Sequence, residues 1–191
     1  MVAFTYLSAV AAFFASVSTV YGASGITTFN DYGTQTGVAC SGYKPTNSQG
    51  SNIYAAAIGD LSPVWTGPKC QGSLDPKKCN GHGGCTNCAG PACPGQGTCG
   101  KCFNIKCTGP LNGETSGKCS GKTVKVKVVD ACPSEHPLNY CKTPAFGGTT
   151  PALGSCEAPG VNQFDIATSA RAALSSYKYN LYIDIEGPVA C

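Results

Sequence analysis

Three aspartates hold positions from which a carboxyl group could do chemistry. Asp165 stands inside an apolar, strand-like stretch, Asp130 ends a valine-rich segment, and Asp31 follows the first β-prone segment. An Asp flanked by apolar residues is disfavoured in strands, so its presence needs a reason. Burial beside another carboxyl group raises the pKa of one of the pair, which is how proteins make a general acid. Asp165, Asp130 and Asp31 are therefore the candidate catalytic residues.

Two of these aspartates also have purely structural interpretations. Asp31 lies in an Asn-Asp-Tyr-Gly turn signature, where its side chain would accept backbone hydrogen bonds. Asp130 could satisfy backbone donors just before Cys132. Asp165 is the hardest of the three to explain by structure alone.

Strands dominate the elements that would position these carboxylates. In the segment 122–130, valines alternate with lysines in the period-2 pattern of a half-buried strand. Small apolar residues at 54–61 fit a strand or a short helix, and Ala and Leu at helical spacing predict a helix at 168–176. Further strands are predicted at 26–29, 103–107 and 179–186. This pattern predicts a mainly β fold, a small β-barrel with one or two short helices.

The start of the chain predicts export. Residues 1–23 have no charged side chain, contain an apolar run at 7–15 and end in small residues, as a signal peptide does. The run is too short to cross a membrane, which takes about 20 apolar residues, so no membrane association is predicted. Residues 24–191 have the length of a single domain.

Cysteine usage agrees with a secreted, extracellular protein. All 14 cysteines follow the predicted signal peptide, and an even number in a secreted chain predicts a disulfide framework of about seven bridges. The predicted disulfide cysteines are Cys40, Cys70, Cys79, Cys85, Cys88, Cys93, Cys99, Cys102, Cys107, Cys119, Cys132, Cys141, Cys156 and Cys191.

A Gly-, Cys- and Pro-rich segment at 69–98 has an alternative interpretation. Cys85 and Cys88 form one CxxC unit and Cys99 and Cys102 form a second, which with His82 could hold zinc. An oxidising export route favours disulfides over zinc and over a redox role. We therefore predict a disulfide-braced surface loop, with no metal and no cofactor.

Charge and composition narrow the class of partner. The net charge is +3 and the chain has a single Arg, Arg171, so a nucleic-acid partner is not expected. Low charge together with many Tyr, Ser, Thr and Asn favours a neutral partner such as a polysaccharide. A monomer is expected.

Three motifs occur in an order that resembles a known superfamily. They are Cys99-Gly-Lys-Cys102-Phe-Asn-Ile-Lys-Cys107, Val124-Lys-Val-Lys-Val-Val-Asp130-Ala-Cys132-Pro133, and Phe164-Asp165-Ile166 followed by a short Ala-rich helix. This order resembles expansins, plant natriuretic-peptide-like proteins, barwin-like proteins and family-45 glycoside hydrolases. The resemblance implies a six-stranded double-psi β-barrel over 24–191, with a Cys-rich insert at 69–98.

The resemblance also implies roles for the aspartates. Asp165 matches the Asp of a His-Phe-Asp motif, the general acid of the hydrolases and an essential residue of expansins, with Gln163 here in place of the His. Asp130 matches the Asp of a Thr-Asp-x-Cys-Pro motif, with Val129 in place of the Thr. Asp31 could match the general base of one hydrolase branch.

The general base decides between binding and hydrolysis. Inverting hydrolysis needs an acid and a base with carboxyl groups about 6.5–9.5 Å apart. One hydrolase branch takes its base from an Asn in the loop after Cys-Pro, but Asn139 does not fall at that position, so the base stays open between these alternatives.

Three functions are therefore compatible with the sequence. The leading hypothesis is an expansin-like protein that binds cell-wall polysaccharide, β-glucan or chitin, and loosens it without hydrolysis. The alternatives are an inverting endo-β-1,4-glucanase, with Asp165 as acid and Asp31 as base, and a non-enzymatic barwin-like defence, effector or inhibitor scaffold. Expansins carry a second, glucan-binding domain that is not found in this sequence, so low affinity for crystalline polymer is expected. The predicted substrate-binding residues are Tyr32, Thr28, Tyr43, Trp65 and Gln163.

Overall fold

The computed structural model describes residues 21–40, 42–59, 62–64, 97–111, 113–132 and 160–191. Several predictions lie outside these residues: most of the signal peptide, nearly all of the 69–98 insert, Trp65 and half of the cysteines. The predicted signal peptide meets the described part only at 21–23, which lie in the first strand.

Strands form most of the described chain. They are β1 (Tyr21–Asn30), β2 (Ser48–Gly50), β3 (Ile53–Gly59), β4 (Cys102–Pro110), β5 (Thr123–Cys132), β6 (Asn162–Ala167) and β7 (Leu181–Val189). Two 3₁₀ turns lie at Tyr32–Thr34 and Thr168–Ala170, and the second leads into the short helix α1 (Arg171–Leu174). The mainly β prediction is confirmed. Of the segment 54–61, the described residues 54–59 belong to strand β3, and the predicted helix is shorter than expected and half 3₁₀.

Six of the strands close into a ring. Their order is β3, β5, β4, β7, β1 and β6, and β6 pairs back onto β3. The short β2 is added beside the start of β3. This closed arrangement is called the strand ring below. It places residues that are distant in sequence on neighbouring strands, and each of its six strands pairs with a neighbour on both sides.

The inside of the strand ring is the main apolar core. Val124, Val126 and Val128 of β5 point into it together with Phe164 and Ile166 of β6. The rings of Phe103 and Phe164 meet edge to face with centroids 5.3 Å apart. Alternation along β7 buries Leu181, Ile183 and Ile185 in the same core. The period-2 patterns of the sequence thus correctly identified the inward faces of these strands.

A glycine allows β1 and β6 to lie close together. A Cβ atom placed on Gly25 would collide with the backbone carbonyl oxygen of Asn162, its partner in the parallel pairing. Only glycine fits there without a shift of one strand. This close pairing fixes the register between β1 and β6, and that register places Thr28 of β1 opposite Asp165 of β6.

The described cysteines are disulfide-bonded, as predicted. The bridges Cys40–Cys99, Cys102–Cys191 and Cys107–Cys119 connect loops and strand ends around the ring, and Cys132 is also disulfide-bonded. Cys99 and Cys102 therefore bridge to different partners and do not act together as a CxxC zinc-binding pair. In the described part of the chain, no helix is long and apolar enough to cross a membrane.

Candidate functional site

Four residues from four strands form one cross-strand row on the outer face of the ring. Thr28 of β1 pairs with Asp165 of β6, Asp165 pairs with Ala57 of β3, and Ala57 pairs with Asp130 of β5. Residues directly opposite each other in a sheet point to the same face. The four side chains, called the aspartate row below, therefore share a face, and two strand spacings separate the aspartate Cα atoms by about 10 Å.

An irregularity in β5 turns Asp130 onto this outer face. Ala56 pairs with Val128 and the next residue, Ala57, pairs with Asp130, so Val129 is an extra residue on β5. Strict alternation after Val128 would have pointed Asp130 into the apolar core. The extra residue shifts the alternation by one position, which is how β-bulges redirect side chains beside functional sites.

Asp165 is the more exposed of the two aspartates in the row. Its side chain is only partly exposed, and its Oδ1 accepts a hydrogen bond of 2.7 Å from the Thr28 hydroxyl. Burial raises the pKa of Asp165 to about 6, against a smaller lowering by the Thr28 hydrogen bond. Asp165 can therefore hold or release a proton in mildly acidic solution, as a general acid must.

Asp130 is more deeply buried and is held by the backbone. It is 5% exposed, and its Oδ1 accepts from the amides of Ala39 at 2.7 Å and Ala131 at 2.9 Å. Burial raises the pKa of Asp130 to about 7, and the charge of Asp165 adds to the rise, while the two amide hydrogen bonds lower it. The structural role considered for Asp130, satisfaction of backbone donors, is thus present.

Tyr32 packs against the aspartate row from the segment after β1. Its ring is 0% exposed and lies in a small second core with Ala55, Ala57, Val129 and Ala167. Its hydroxyl donates to the backbone carbonyl of Asp165 at 2.7 Å. Burial, and then the neighbouring carboxylates, raises the pKa of Tyr32 well above its ordinary value. Tyr32 was predicted to bind substrate, but its ring is enclosed and its hydroxyl is bonded to the backbone of Asp165.

Asp31 has the local role expected of a turn residue. It is exposed and caps the 3₁₀ turn Tyr32–Thr34 by accepting from the Gly33 amide at 3.0 Å. Its Oδ1 also accepts from Asn47 Nδ2 at 2.6 Å, while Asn47 Oδ1 accepts from the Tyr32 amide at 2.9 Å. Asp31 lies beyond the end of β1, outside the aspartate row, and its part as a general base stays a prediction.

The other predicted binding residues differ in accessibility. Thr28 is partly exposed within the row. Gln163 lies on the same side of β6 as Asp165 but is 1% exposed. Tyr43 is partly buried and packs against both apolar cores. Trp65 lies outside the described residues. Of these predicted binding residues, Thr28 is the one that is both part of the row and partly exposed in the described structure.

Three residues that complete the site were not predicted from the sequence. Ala57 stands between the two aspartates, Ala39 donates a backbone amide to one of them, and Asn47 fixes the turn that carries Tyr32. The run of small residues Ala55-Ala56-Ala57 was a usable signal, since alanines in a strand leave room for close packing. Ala39 and Asn47 had no such signal, because their contacts join loops to distant strands.

A separate groove lies elsewhere on the ring. Its volume is about 420 Å³ and its lining includes Ser24, Asn104, Lys106, Asp184 and Glu186. It contains neither aspartate of the row. Within the described residues, no group of three or more His, Cys, Asp or Glu is arranged to hold a metal ion. Among the described residues, the carboxyl groups with raised pKa values are those of Asp130 and Asp165 in the aspartate row.

Comparison with known proteins gives one short similarity. No protein-family model matches the chain. Over 32 residues the chain is 58% identical to "Putative EG45-like domain containing protein 1" of Arabidopsis thaliana. That stretch is 17% of this chain and 25% of the Arabidopsis protein, so the match spans a quarter of that relative's length. The match gives weak support to the expansin-like resemblance.

Proposed function

We propose that this protein is a secreted, expansin-like polysaccharide-binding protein whose strand ring is a double-psi β-barrel. It binds β-glucan of the cell wall across the aspartate row and does not hydrolyse it efficiently. The observation that carries the proposal is the contrast between the two aspartates. Asp165 is partly exposed and burial raises its pKa to about 6, whereas Asp130 is buried and its Oδ1 accepts from two backbone amides.

The accessible part of the row suits a neutral polymer. Asp165 and Thr28 offer a carboxyl and a hydroxyl group side by side on the outer face of the ring. Below pH 6 the Asp165 carboxyl group is mostly protonated and can donate a hydrogen bond to a glycosidic or hydroxyl oxygen. A protonated carboxyl group also avoids the cost of covering a charge when the polymer lies over it.

Hydrolysis would require a second, ionised carboxylate that is free to activate water. With a pKa of about 7, Asp130 is mostly protonated in the same mildly acidic range, and both of its hydrogen bonds go to the backbone. The Oδ1 atom of Asp31 already accepts hydrogen bonds from the Gly33 amide and from Asn47 Nδ2. An acid without a competent base can bind and disrupt glucan packing, yet cleaves slowly.

Two observations support the extracellular part of the proposal. The disulfide-rich fold suits an oxidising compartment. The Arabidopsis relative is named as an EG45-like domain containing protein, which is consistent with an expansin-like, extracellular protein.

A pull-down and a hydrolysis assay on one preparation test the proposal. The purified protein is incubated at pH 5 with insoluble β-glucan and with chitin, and the bound fraction and new reducing ends are both measured. We expect binding to β-glucan without release of reducing ends, and binding lowered at least fivefold in Asp165→Ala. Asp184→Asn, in the separate groove, is the matched control and should bind like the wild type.

The other outcomes point to different functions. Release of reducing ends that disappears in both Asp165→Asn and Asp31→Asn would establish the glucanase. Binding lost in Asp184→Asn but kept in Asp165→Ala would move the ligand to the separate groove and refute the proposed site. Absence of binding to either polymer would favour the non-enzymatic scaffold.

A further inference from the structure

Gln163 and two members of the row, Thr28 and Asp165, form a hydrogen-bonded chain in which each donor points toward Asp165. Gln163 Nε2 donates to Thr28 Oγ1 at 2.9 Å, and Thr28 Oγ1 donates to Asp165 Oδ1 at 2.7 Å. Gln163 and Asp165 lie two residues apart on the same side of β6, so both reach the hydroxyl on β1. The chain therefore ends on the accessible carboxyl group.

The direction of this chain follows from the number of donors. A threonine hydroxyl has a single proton. When the Gln163 amide occupies one lone pair of Thr28 Oγ1, the hydroxyl proton is left to point at Asp165. If the amide were turned over, its oxygen would compete with Asp165 for that proton.

The hydrogen-bond count at Gln163 favours the observed orientation. Gln163 is 1% exposed, and its Oε1 finds no hydrogen-bond partner in the described part of the chain. Turning the amide over would give the oxygen a partner but would leave the buried NH₂ group, with two donors, without its bond to Thr28. It would also remove the hydroxyl proton from Asp165. Buried unpaired donors are costly, and so is a carboxylate that loses its donor.

From this geometry we propose that Gln163 is a positioning residue: its amide fixes the Thr28 hydroxyl proton on Asp165 and thereby sets how tightly Asp165 holds its own proton. Gln163 acts through Thr28 and does not touch a ligand itself. This replaces the substrate-binding role that the sequence suggested for it.

The environment of Asp165 makes this control effective. Burial raises the pKa of Asp165, and the Thr28 hydrogen bond is the factor that lowers it. Within the described residues, the titratable groups that face the row are Asp130 on β5 and Tyr32 in the 3₁₀ turn, and β3 contributes the non-titratable Ala57. A fixed donor at Thr28 thus offsets part of the effect of burial. The consequence for ligand binding rests on the proposed function, but the effect on the proton of Asp165 does not.

Carbon-detected NMR titration of the free protein tests the inference. The Asp165 carboxyl resonance is assigned by its loss in Asp165→Asn and followed from pH 3 to 9. In Thr28→Val we expect the pKa of Asp165 to rise by about one pH unit or more, since a hydrogen bond to a charged group is lost. Thr28→Ser keeps the hydroxyl and should restore the wild-type value.

Two substitutions at Gln163 isolate its role. Gln163→Glu keeps the shape, but its carboxylate accepts the Thr28 proton, so the pKa of Asp165 should rise at least as far as in Thr28→Val. Gln163→Met removes the amide without a new acceptor, and a smaller rise is expected. Gln49→Glu, in β2, is the control for an added charge and should leave Asp165 unchanged.

The results separate this inference from the proposed function. If both Gln163 variants fold, as judged by their amide spectra, and leave the Asp165 titration at the wild-type value, the inference is wrong. Should Gln163→Glu fail to fold, Gln163→Met alone decides by the same criterion. A shifted titration combined with no β-glucan binding by the wild type would refute the proposed function and leave this inference standing.

Discussion

Asp130 and Asp165 lie in the same cross-strand row, one on each side of Ala57, although 35 positions separate them in the sequence. They come from strands that both pair with β3. Their environments differ: one carboxyl group is enclosed and bonded to backbone amides, and the other is partly accessible and bonded to a hydroxyl. The two carboxyl groups therefore differ in exposure and in hydrogen-bond partners although they share one row.

Stability should fall as pH rises from about 4 to about 7. The folded protein holds protons on Asp130 and Asp165 up to pH values of about 7 and 6, whereas both are released near 3.8 when unfolded. Both groups thus contribute stability that is fully present below pH 3.8 and is lost as pH passes through the folded values. For the buried Asp130 the effect is on the order of 4 kcal/mol.

Urea unfolding of wild type and Asp130→Asn at several pH values measures this effect. The Asn side chain keeps an oxygen for the Ala39 and Ala131 amides, so the variant should match the wild type near pH 4 and be more stable at pH 7.5. Asp184→Asn, exposed on β7, serves as the control. A constant difference between Asp130→Asn and wild type across this range would contradict the assignment.

Deletion of Val129 should keep Asp130 on the outer face. With Val129 removed, Val128 and Asp130 become consecutive and can pair with Ala56 and Ala57 in regular alternation. The second core loses the buried Val129 side chain, so a cost of about 1–3 kcal/mol is expected in urea unfolding. Val129→Ala keeps the extra residue, removes most of the same side chain and should cost a similar amount. An unfolded deletion variant beside a folded Val129→Ala would show that the extra residue itself is required.

Tyr32→Phe should weaken the protein without removing its core packing. The substitution keeps the ring but removes the hydroxyl that donates to the backbone carbonyl of Asp165. A loss of about 1 kcal/mol is expected in thermal or urea unfolding, as for a typical intramolecular hydrogen bond. Tyr179→Phe removes a hydroxyl from a ring that is 57% exposed and should change stability little. Equal effects of the two substitutions would argue against the Tyr32 hydrogen bond as a support of the site.

The contribution of each disulfide to the free energy of unfolding should increase with the number of residues between its two cysteines. Cys102–Cys191 closes 89 residues and Cys107–Cys119 closes 12. Replacing the first pair by Ala should cost about 4–5 kcal/mol and the second about 3 kcal/mol, because the longer loop restricts the unfolded chain more. The two double variants act as controls for each other in urea unfolding. A larger loss from the Cys107–Cys119 pair would show that local strand contacts, and not chain entropy, govern the effect.

Much of the fold was predictable because its signals are local. The alternation of Val124, Val126 and Val128 identified an inward face, and it did so correctly since period-2 patterns report which side of a strand is buried. Asp165 was found for the same reason, as an ionisable residue between Phe164 and Ile166, both of which point into the core. The disulfide character of the described cysteines followed from their number and the predicted export.

The limits of local pattern appear at Asp130 and Tyr32. The sequence around Val129 gives no sign that Val129 is an extra residue. It is extra only in relation to Ala56 and Ala57, which lie on another strand. Tyr32 was predicted to bind substrate, yet the turn that Asp31 and Asn47 stabilise places its ring in the second core beneath the row.

The sequence by itself thus determined most of the strands, their inward faces, the disulfide bonding of the described cysteines and the candidate acid Asp165. The tertiary structure alone decided that Thr28, Asp165, Ala57 and Asp130 share one row, and that the Gln163 amide donates to Thr28. The physical reason is that burial preference is encoded residue by residue. Register between strands is instead a property of pairs that meet only when the ring closes.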